Sequence, residues 1–332
     1  MMGPRVAVIG AGLSGLSAAQ RLKRSGCSVV VFDKSRGPGG RLCTRRSPSG
    51  GFDHGAPYFH ADSTVIKPWL DHGIIAQWSG RFGVVNDDGS IDHLKPVQRW
   101  VGVPKMSTIG RWMARSLNVH LSSRIEKLSG EPGRWTLTDT ESHVFGPFDL
   151  VVVSCPGPQA AALLPERCNL YPLAHQMTYS ICWAAMLDFD TELDLEWDGL
   201  EFETGPLAKA FRSNSKPGRR SDERWVLHAQ AEWSETHQDH SPEAIGHALE
   251  QAFHPFARRH AFDVRCHRWL YAQSTQDRPQ QAVIDKQYRL GLCGDGLTGG
   301  GVMDAMASGE HMADLVIDAM HSPSETANHR DA

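Results

Sequence analysis

The run VAVIGAGLSG, residues 6–15, constrains the fold more than any other part of the chain. Gly10, Gly12 and Gly15 stand between a β-branched apolar run, RVAVIG, and a stretch of helical spacing, LSGLSAAQRLKRSG, that a glycine ends. A second apolar run, CSVVVFD, closes on Asp33. This order predicts a β-α-β unit, and each glycine has a physical reason. The first permits a tight turn, the second lets backbone approach a pyrophosphate, and the third lets helix and strand pack closely. The helix N-terminus attracts phosphate charge. Asp33 stands where a carboxylate accepts both hydroxyls of an adenosine ribose, which disfavours a ribose 2′-phosphate there. The pattern leaves NAD and FAD both open.

The next segment, GPGGRLCTRRSPSGGFDHGAPYFH, residues 37–60, adds more glycines and arginines than a simple connection needs. Gly39-Gly40-Arg41 follow Asp33 at a distance suited to wrapping back over a pyrophosphate, and arginine offers a fork of donors to phosphate oxygens. Gly55-Ala56-Pro57-Tyr58 reads as an extended, small-residue segment that can lie against a planar ring. Near the C-terminus Asp295 follows a buried strand, and Gly299, Gly300 and Gly301 precede a helix whose start can stabilise negative charge.

Between these pieces, Asp88-Gly89 lies between alternating runs and predicts a hairpin turn. VHLSSRIEKL reads as one strand, RWTLTDTESHVFGPFDL as a further hairpin, and DLVVVSC as the third parallel partner of the first two strands. From Tyr179 to Tyr271 the chain turns to tryptophan-rich strands, with one helix opened by Ser241 as N-cap and Pro242 at its first position. The fold class is therefore α/β, with a Rossmann-like cofactor domain discontinuous in sequence and a second α+β mixed-sheet substrate domain. The first takes residues 1–75, 105–170 and 280–320, the second 76–104 and 171–279, and 321–332 form a polar tail.

Composition narrows the ligands. A net charge of −4 with dispersed basic residues argues against a nucleic-acid surface. Seven cysteines form no C-x-x-C pair and suggest neither a disulfide framework nor a zinc site. Glu235, His237, Asp239 and His240 lack H-E-x-x-H spacing, so no metal is expected. No signal-peptide pattern or membrane-length apolar run stands out, which fits a cytoplasmic setting with no membrane partner.

Taken together, VAVIGAGLSGLSAA, GGRLCTRR, DHGAPYF, RWVGVPKMSTIGRWMA, VVVSCPGPQAAALL and GLCGDGLTGGGVMDAMASGE resemble the FAD-containing amine oxidase superfamily, and within it the renalase-like branch. The resemblance spans nearly the whole chain. It implies non-covalent FAD in contact with Gly10, Gly12, Ser14, Gly15, Asp33, Lys34, Arg41, Pro57 and Tyr58, with Ile125 at the adenine end and Asp295 and Val302 at the ribityl and flavin end. It also implies oxidation of 2- and 6-dihydro isomers of NAD(P)H to NAD(P)+, with O2 reduced to hydrogen peroxide. One departure bears on substrate. Amine oxidases of this kind place a tyrosine before the final helix as a wall of an aromatic cage, and Gly301 stands there instead. That leaves room for a broader planar group and weakens an amine-oxidase reading. An amine oxidase or desaturase, and a non-catalytic dinucleotide-binding redox sensor, remain the alternatives. Pro96 in a strand-like segment, Asn214 and Lys216 in FRSNSKPGRR, and the Gly299-Gly300 backbone are candidates to border the nicotinamide, with a solvated surface role open to each polar member.

Overall fold

The computed structural model describes residues 3–48, 50–275 and 280–321. Its chain divides into two units, one of Met1–Pro38, Met113–Thr178 and Gln276–Ala332, the other of Gly39–Trp112 and Tyr179–Thr275.

The first unit is built on a six-stranded sheet in the order Ala282–Asp285, Leu290–Cys293, Leu150–Val153, Arg5–Ile9, Ser28–Phe32 and Asn118–His120. All neighbours are parallel except the first pair. Val6, Ala7, Val8, Val151, Val152 and Val153 are fully buried, as strands covered on both faces require. Helix Leu13–Arg24 follows the first strand, and helix Val302–His321 packs against it. Gly309 makes that approach possible, because a Cβ there would stand 2.0 Å from the Ser14 carbonyl oxygen.

VHLSSRIEKL forms two strands, where one was expected. Asn118–His120 joins the parallel sheet, and Ile125–Glu131 begins a three-stranded antiparallel sheet with Arg134–Asp139 and Val144–Phe148. The break has a local cause. Ser122, at φ +55°, donates its N–H to Ser35, and the Ser123 N–H bonds the Asp33 carbonyl at 2.9 Å, which draws the chain off the strand line.

The second unit carries a seven-stranded mixed sheet ordered Asp263–Ser274, Tyr179–Asp188, Arg224–Ala229, Leu207–Arg212, Gly199–Phe202, Phe82–Val85 and Ile91–His93. The last two strands form the hairpin that turns through Gly89 at φ +82°. Trp183, Trp225, Leu227 and Leu200 pack with Ile245, Leu249 and Phe253 of helix Pro242–Ala257 to make its core. The Ser241 hydroxyl caps that helix, accepting the Ala244 N–H at 3.2 Å.

Residues 39–75 and 105–112 cluster with this second unit rather than with the nucleotide-binding strands. Hydrogen bonds explain the difference. Arg41 reaches the Ala272 carbonyl, Trp269 reaches that of His54, and Arg224 reaches that of Gly51. Pro96 lies in an exposed connection between strands, so the strand expected there is absent. The polar tail beyond His321 lies outside the described residues. No helix among the described residues is long and apolar enough to cross a membrane.

Candidate cofactor and active site

Parallel strands deliver their C-terminal ends to one edge of the first unit's sheet, where Gly10, Asp33, Ser154 and Gly294 emerge. Gly10 adopts φ +113°, and a Cβ on it would come within 2.5 Å of the Ser154 carbonyl oxygen. A Cβ on Gly15 would stand 2.0 Å from the Gly10 carbonyl oxygen. Gly12 is different: nothing lies within 4 Å of the Cβ it lacks, so its face is open to a ligand. It also caps helix Leu13–Arg24 with no side-chain bond and no acidic residue in the first turn. The bare helix end therefore keeps its partial positive charge for a phosphate. These are the features a dinucleotide pyrophosphate needs.

The Asp33 carboxylate holds the loop in place through the Ala11 N–H at 2.6 Å and the Ser35 N–H at 2.7 Å. Each carboxylate oxygen retains a lone pair for a ribose hydroxyl. Because Ser123 is bonded to the Asp33 carbonyl, the buried Ile125 two residues on is brought to the same strand end. Lys34 is exposed and donates to Gln159 at 3.1 Å, while Ser14 is buried in the first turn of the helix.

The last strand leads into Asp295, which is buried and begins a short turn, and then into Gly299, Gly300 and Gly301 at φ +89°, +104° and +125°. The Ser308 hydroxyl anchors the turn by accepting the Gly294 N–H at 2.8 Å. Val302 opens the final helix. Burial, with the neighbouring Asp295 second, raises the Asp304 carboxyl above its ordinary value, and its Oδ2 lies 2.9 Å from where a Gly301 Cβ would stand. The φ of +125° disfavours any side chain at 301, and the Asp304 carboxylate would have to shift to admit one. Cys293 and Cys155 are held as thiols by burial, Cys155 pushed up to about 12, so neither has the thiolate character of a reactive cysteine.

In the second unit Arg41 lies in the turn Gly40–Leu42 and gives one of its donors to Ala272 at 3.0 Å. The segment from Gly55 to Tyr58 is fixed at its start against Arg41. A Cβ on Gly55 would stand 2.0 Å from the Arg41 carbonyl oxygen, the same oxygen that accepts the Ala56 N–H at 2.9 Å. Tyr58 turns its ring into an aromatic cluster with Phe211, Phe82 and Trp78, and Pro57 stays partly exposed. The ring of Tyr58 is thus a packing element of the sheet, and a planar ligand is left the Pro57 side and the backbone.

The His54 carbonyl accepts from both Trp269 Nε1 at 2.9 Å and His228 Nε2 at 3.2 Å, which ties the start of this segment to two strands. Burial, then the nearby His267, lowers His54 to about 3; burial lowers His228 to about 4. Both folded values lie below the ordinary 6.5. Between those values the unfolded chain binds more protons, so stability is complete above pH 6.5 and falls as pH drops toward 4. At pH 5 each buried histidine is expected to cost about 2 kcal/mol relative to neutral pH. Thermal unfolding at pH 7 and pH 5 measures this, and a His228→Gln variant should flatten the dependence.

Asp53 was not anticipated from sequence, yet it organises the interior here. Its Oδ1 accepts from Thr44 at 2.7 Å and from the Met106 N–H at 3.1 Å, and its Oδ2 accepts from Arg219 at 2.6 Å. Lys216 lies 3.8 Å from Oδ2 with a side chain of zero exposure, so the solvated role left open for it does not hold. Asn214 uses its amide on Glu223 at 2.9 Å and its oxygen on the Arg224 N–H, which makes it the brace of the loop that carries Lys216. Among the described residues no group of three or more His, Cys, Asp or Glu side chains is arranged to hold a metal.

Residues 8–72 match the family described as NAD(P)-binding Rossmann-like domain, and residues 101–317 match flavin containing amine oxidoreductase. A hydroxyneurosporene desaturase of Cereibacter sphaeroides is 46% identical over 52 residues, which cover 16% of this chain and 10% of that protein. The chain thus spans about a tenth of that relative's length. Among solved structures, a putative protoporphyrinogen oxidase from Exiguobacterium superposes with a TM-score of 0.76 at 14% identity, covering 96% of this chain and 100% of that one. Cyclohexylamine oxidase from Brevibacterium oxydans superposes at 0.75 with 12% identity, covering 96% and 100%. At these identities the superpositions establish the fold. The open glycine cradle, the bare helix end and a family match over most of the chain agree with one another: the chain belongs to the flavin containing amine oxidoreductase family, a group of flavin-dependent oxidoreductases, with FAD as its non-covalent cofactor.

Proposed function

We propose that this flavoenzyme oxidises 2- and 6-dihydro isomers of NAD(P)H to NAD(P)+. The observation that carries the reading is Gly301, whose glycine backbone at φ +125° stands where an aromatic wall would be. A broad, flat ring gains room from that change, whereas a small amine loses its cage. FAD, when bound, supplies a two-electron acceptor for hydride and a route for the electron pair to O2, which leaves as hydrogen peroxide.

The substrate's own chemistry asks little of the protein. Its ring nitrogen lone pair drives out hydride from the adjacent carbon and restores an aromatic pyridinium, so no side chain has to remove a proton. The chain's residues bind and orient. Gly10, Gly12, Ser14, Gly15, Asp33 and Lys34 hold the adenosine and pyrophosphate, with Ile125 beside the adenine and Arg41 toward phosphate. Asp295 and Val302 serve the ribityl and flavin end, and Pro57, Tyr58, Gly299 and Gly300 present backbone to planar rings. Pro96 lies in an exposed connection between strands and is assigned the border of the nicotinamide.

A second reading, an amine oxidase or desaturase, is favoured by the names of the relatives and structural neighbours. Anaerobic mixing separates the two. The yellow protein is expected to bleach within seconds on mixing with 2-dihydro- or 6-dihydro-NAD, and to stay yellow with a panel of primary and cyclic amines. Bleaching by amines alone would overturn the dihydronicotinamide reading in favour of the second.

A further inference from the structure

Asp304 is a carboxylate that the fold does not use. It stands third in helix Val302–His321, just after Gly301, and is the acidic residue of the first turn. An acid at that position commonly closes a capping box by accepting the N–H of the residue that precedes the helix. Here the Asp304 Oδ2 lies 2.9 Å from where a Gly301 Cβ would stand, yet no hydrogen bond from Gly301 reaches it among the described residues. Nor does any ion pair among the described residues take it, whereas Asp314, further along the same helix, is paired with Arg21. The charged group that Asp304 senses is another acid. Asp295 is buried in the turn Asp295–Leu297, which packs against this helix, and after burial itself it is the second cause that raises the Asp304 carboxyl. Two carboxylates therefore share one helix start.

Both belong to the unit that carries the glycine cradle, and Asp304 is two positions from Val302, in the stretch assigned to the flavin end of FAD. Hydride brings a flavin two electrons and a proton, which leaves one negative charge on the ring system. The partial positive charge of a helix start lowers the cost of that negative charge. A carboxylate in the first turn raises it again, because like charges a few ångströms apart repel strongly away from bulk water. Asp295 is built into its turn. Asp304 is exposed and makes no contact that holds the helix, so its charge is removable without loss of the fold.

We infer that Asp304 holds the reduction potential of the bound FAD low by opposing the helix start with a negative charge. This rests on the flavin end lying at this helix and not on the choice of substrate. Its consequence for the proposed reaction is selective. A low-potential flavin is reduced by donors that give up hydride readily, as dihydropyridines do, and hands the electron pair on readily in turn.

Two readouts that need no turnover test it: the midpoint potential of the FAD-loaded protein, and its affinity for sulfite. Sulfite adds through its sulfur lone pair to flavin N5 and leaves a negative charge on the ring, so its dissociation constant, read from loss of the yellow colour, reports the same electrostatic balance. Asp304→Asn and Asp304→Ser, both neutral, are expected to tighten sulfite at least about tenfold and to raise the midpoint potential by about 30 mV or more, the equivalent for a two-electron couple. Asp304→Glu keeps the charge and should stay within about threefold of the native protein, as should Glu310→Gln, about 9 Å further along the helix. If sulfite tightens while the potential stays at its native value, Asp304 only repels the incoming anion, and the tuning role is overturned. If both readouts stay at native values in the neutral variants, it is overturned as well. Asp304→Lys then says why: a raised potential places the flavin at the helix start beside a carboxylate it does not feel, and an unchanged one removes the flavin end from this helix. Bleaching by dihydro-NAD or by amines is read separately and decides the substrate reading alone.

Discussion

Gly15→Ala is expected to abolish FAD retention and to lower the melting temperature by roughly 4 °C. The new Cβ would stand 2.0 Å from the Gly10 carbonyl oxygen, a backbone atom that cannot swing aside. Relief requires helix Leu13–Arg24 to move off the first strand, at a cost of about 3 kcal/mol or more for overpacking a tight contact. Gly12→Ala makes the informative contrast. Its Cβ meets nothing within 4 Å, so the fold should hold to within about 0.5 kcal/mol. The same methyl would nonetheless occupy the face where backbone approaches the pyrophosphate, and FAD content after desalting should fall at least about tenfold. Differential scanning fluorimetry and the ratio of flavin to protein absorbance read both effects. A Gly15→Ala protein with full flavin content would refute the role assigned to this turn.

Asp53→Asn is expected to destabilise the fold by about 3–5 kcal/mol, because it keeps the shape of the side chain while leaving Arg219 and Lys216 buried without a counter-charge. Adding Lys216→Met should recover about 1–3 kcal/mol of that loss, since the two residues share one electrostatic account. Denaturant unfolding of the four proteins in the cycle measures the coupling. Additive effects would show that Lys216 does not sense Asp53. The dependence on pH carries the same signature. Burial alone would raise the Asp53 carboxyl, but Lys216 and Arg219 outweigh it and the folded value lies below the ordinary one. Its contribution is therefore complete above about pH 4 and is lost as pH falls through the lower folded value. Lys216 runs the other way. Burial lowers it to about 8, so from there to about pH 10.4 the unfolded chain binds more protons and stability rises with pH. That alkaline rise should vanish in Lys216→Met.

Much of the architecture was legible from short-range patterns. The glycine spacing after RVAVIG, the Asp88-Gly89 turn and the Ser241-Pro242 helix start each act within a few residues, and each appears in the structure where its local chemistry places it. Reading VHLSSRIEKL as one strand failed because the break at Ser122 depends on Ser35 and Asp33, which are remote in sequence. The boundary at residue 39 moved for a similar reason: Arg41, Gly51 and His54 are claimed by hydrogen bonds from strands more than 150 residues further on.

By itself, the sequence determined the nucleotide-binding strand, turn and helix, the glycine run before the last helix, and the absence of an aromatic residue at 301. Glycine sterics and apolar periodicity operate over one or two turns of chain, so these features need no knowledge of the rest. Only the tertiary structure decided what Lys216 is. FRSNSKPGRR has the composition of a solvated loop, and its burial beside Asp53, with Arg219 bonded across 166 positions of sequence, follows from how two distant segments share one interior. A buried charge is defined by the groups around it, and sequence spacing carries no record of those neighbours.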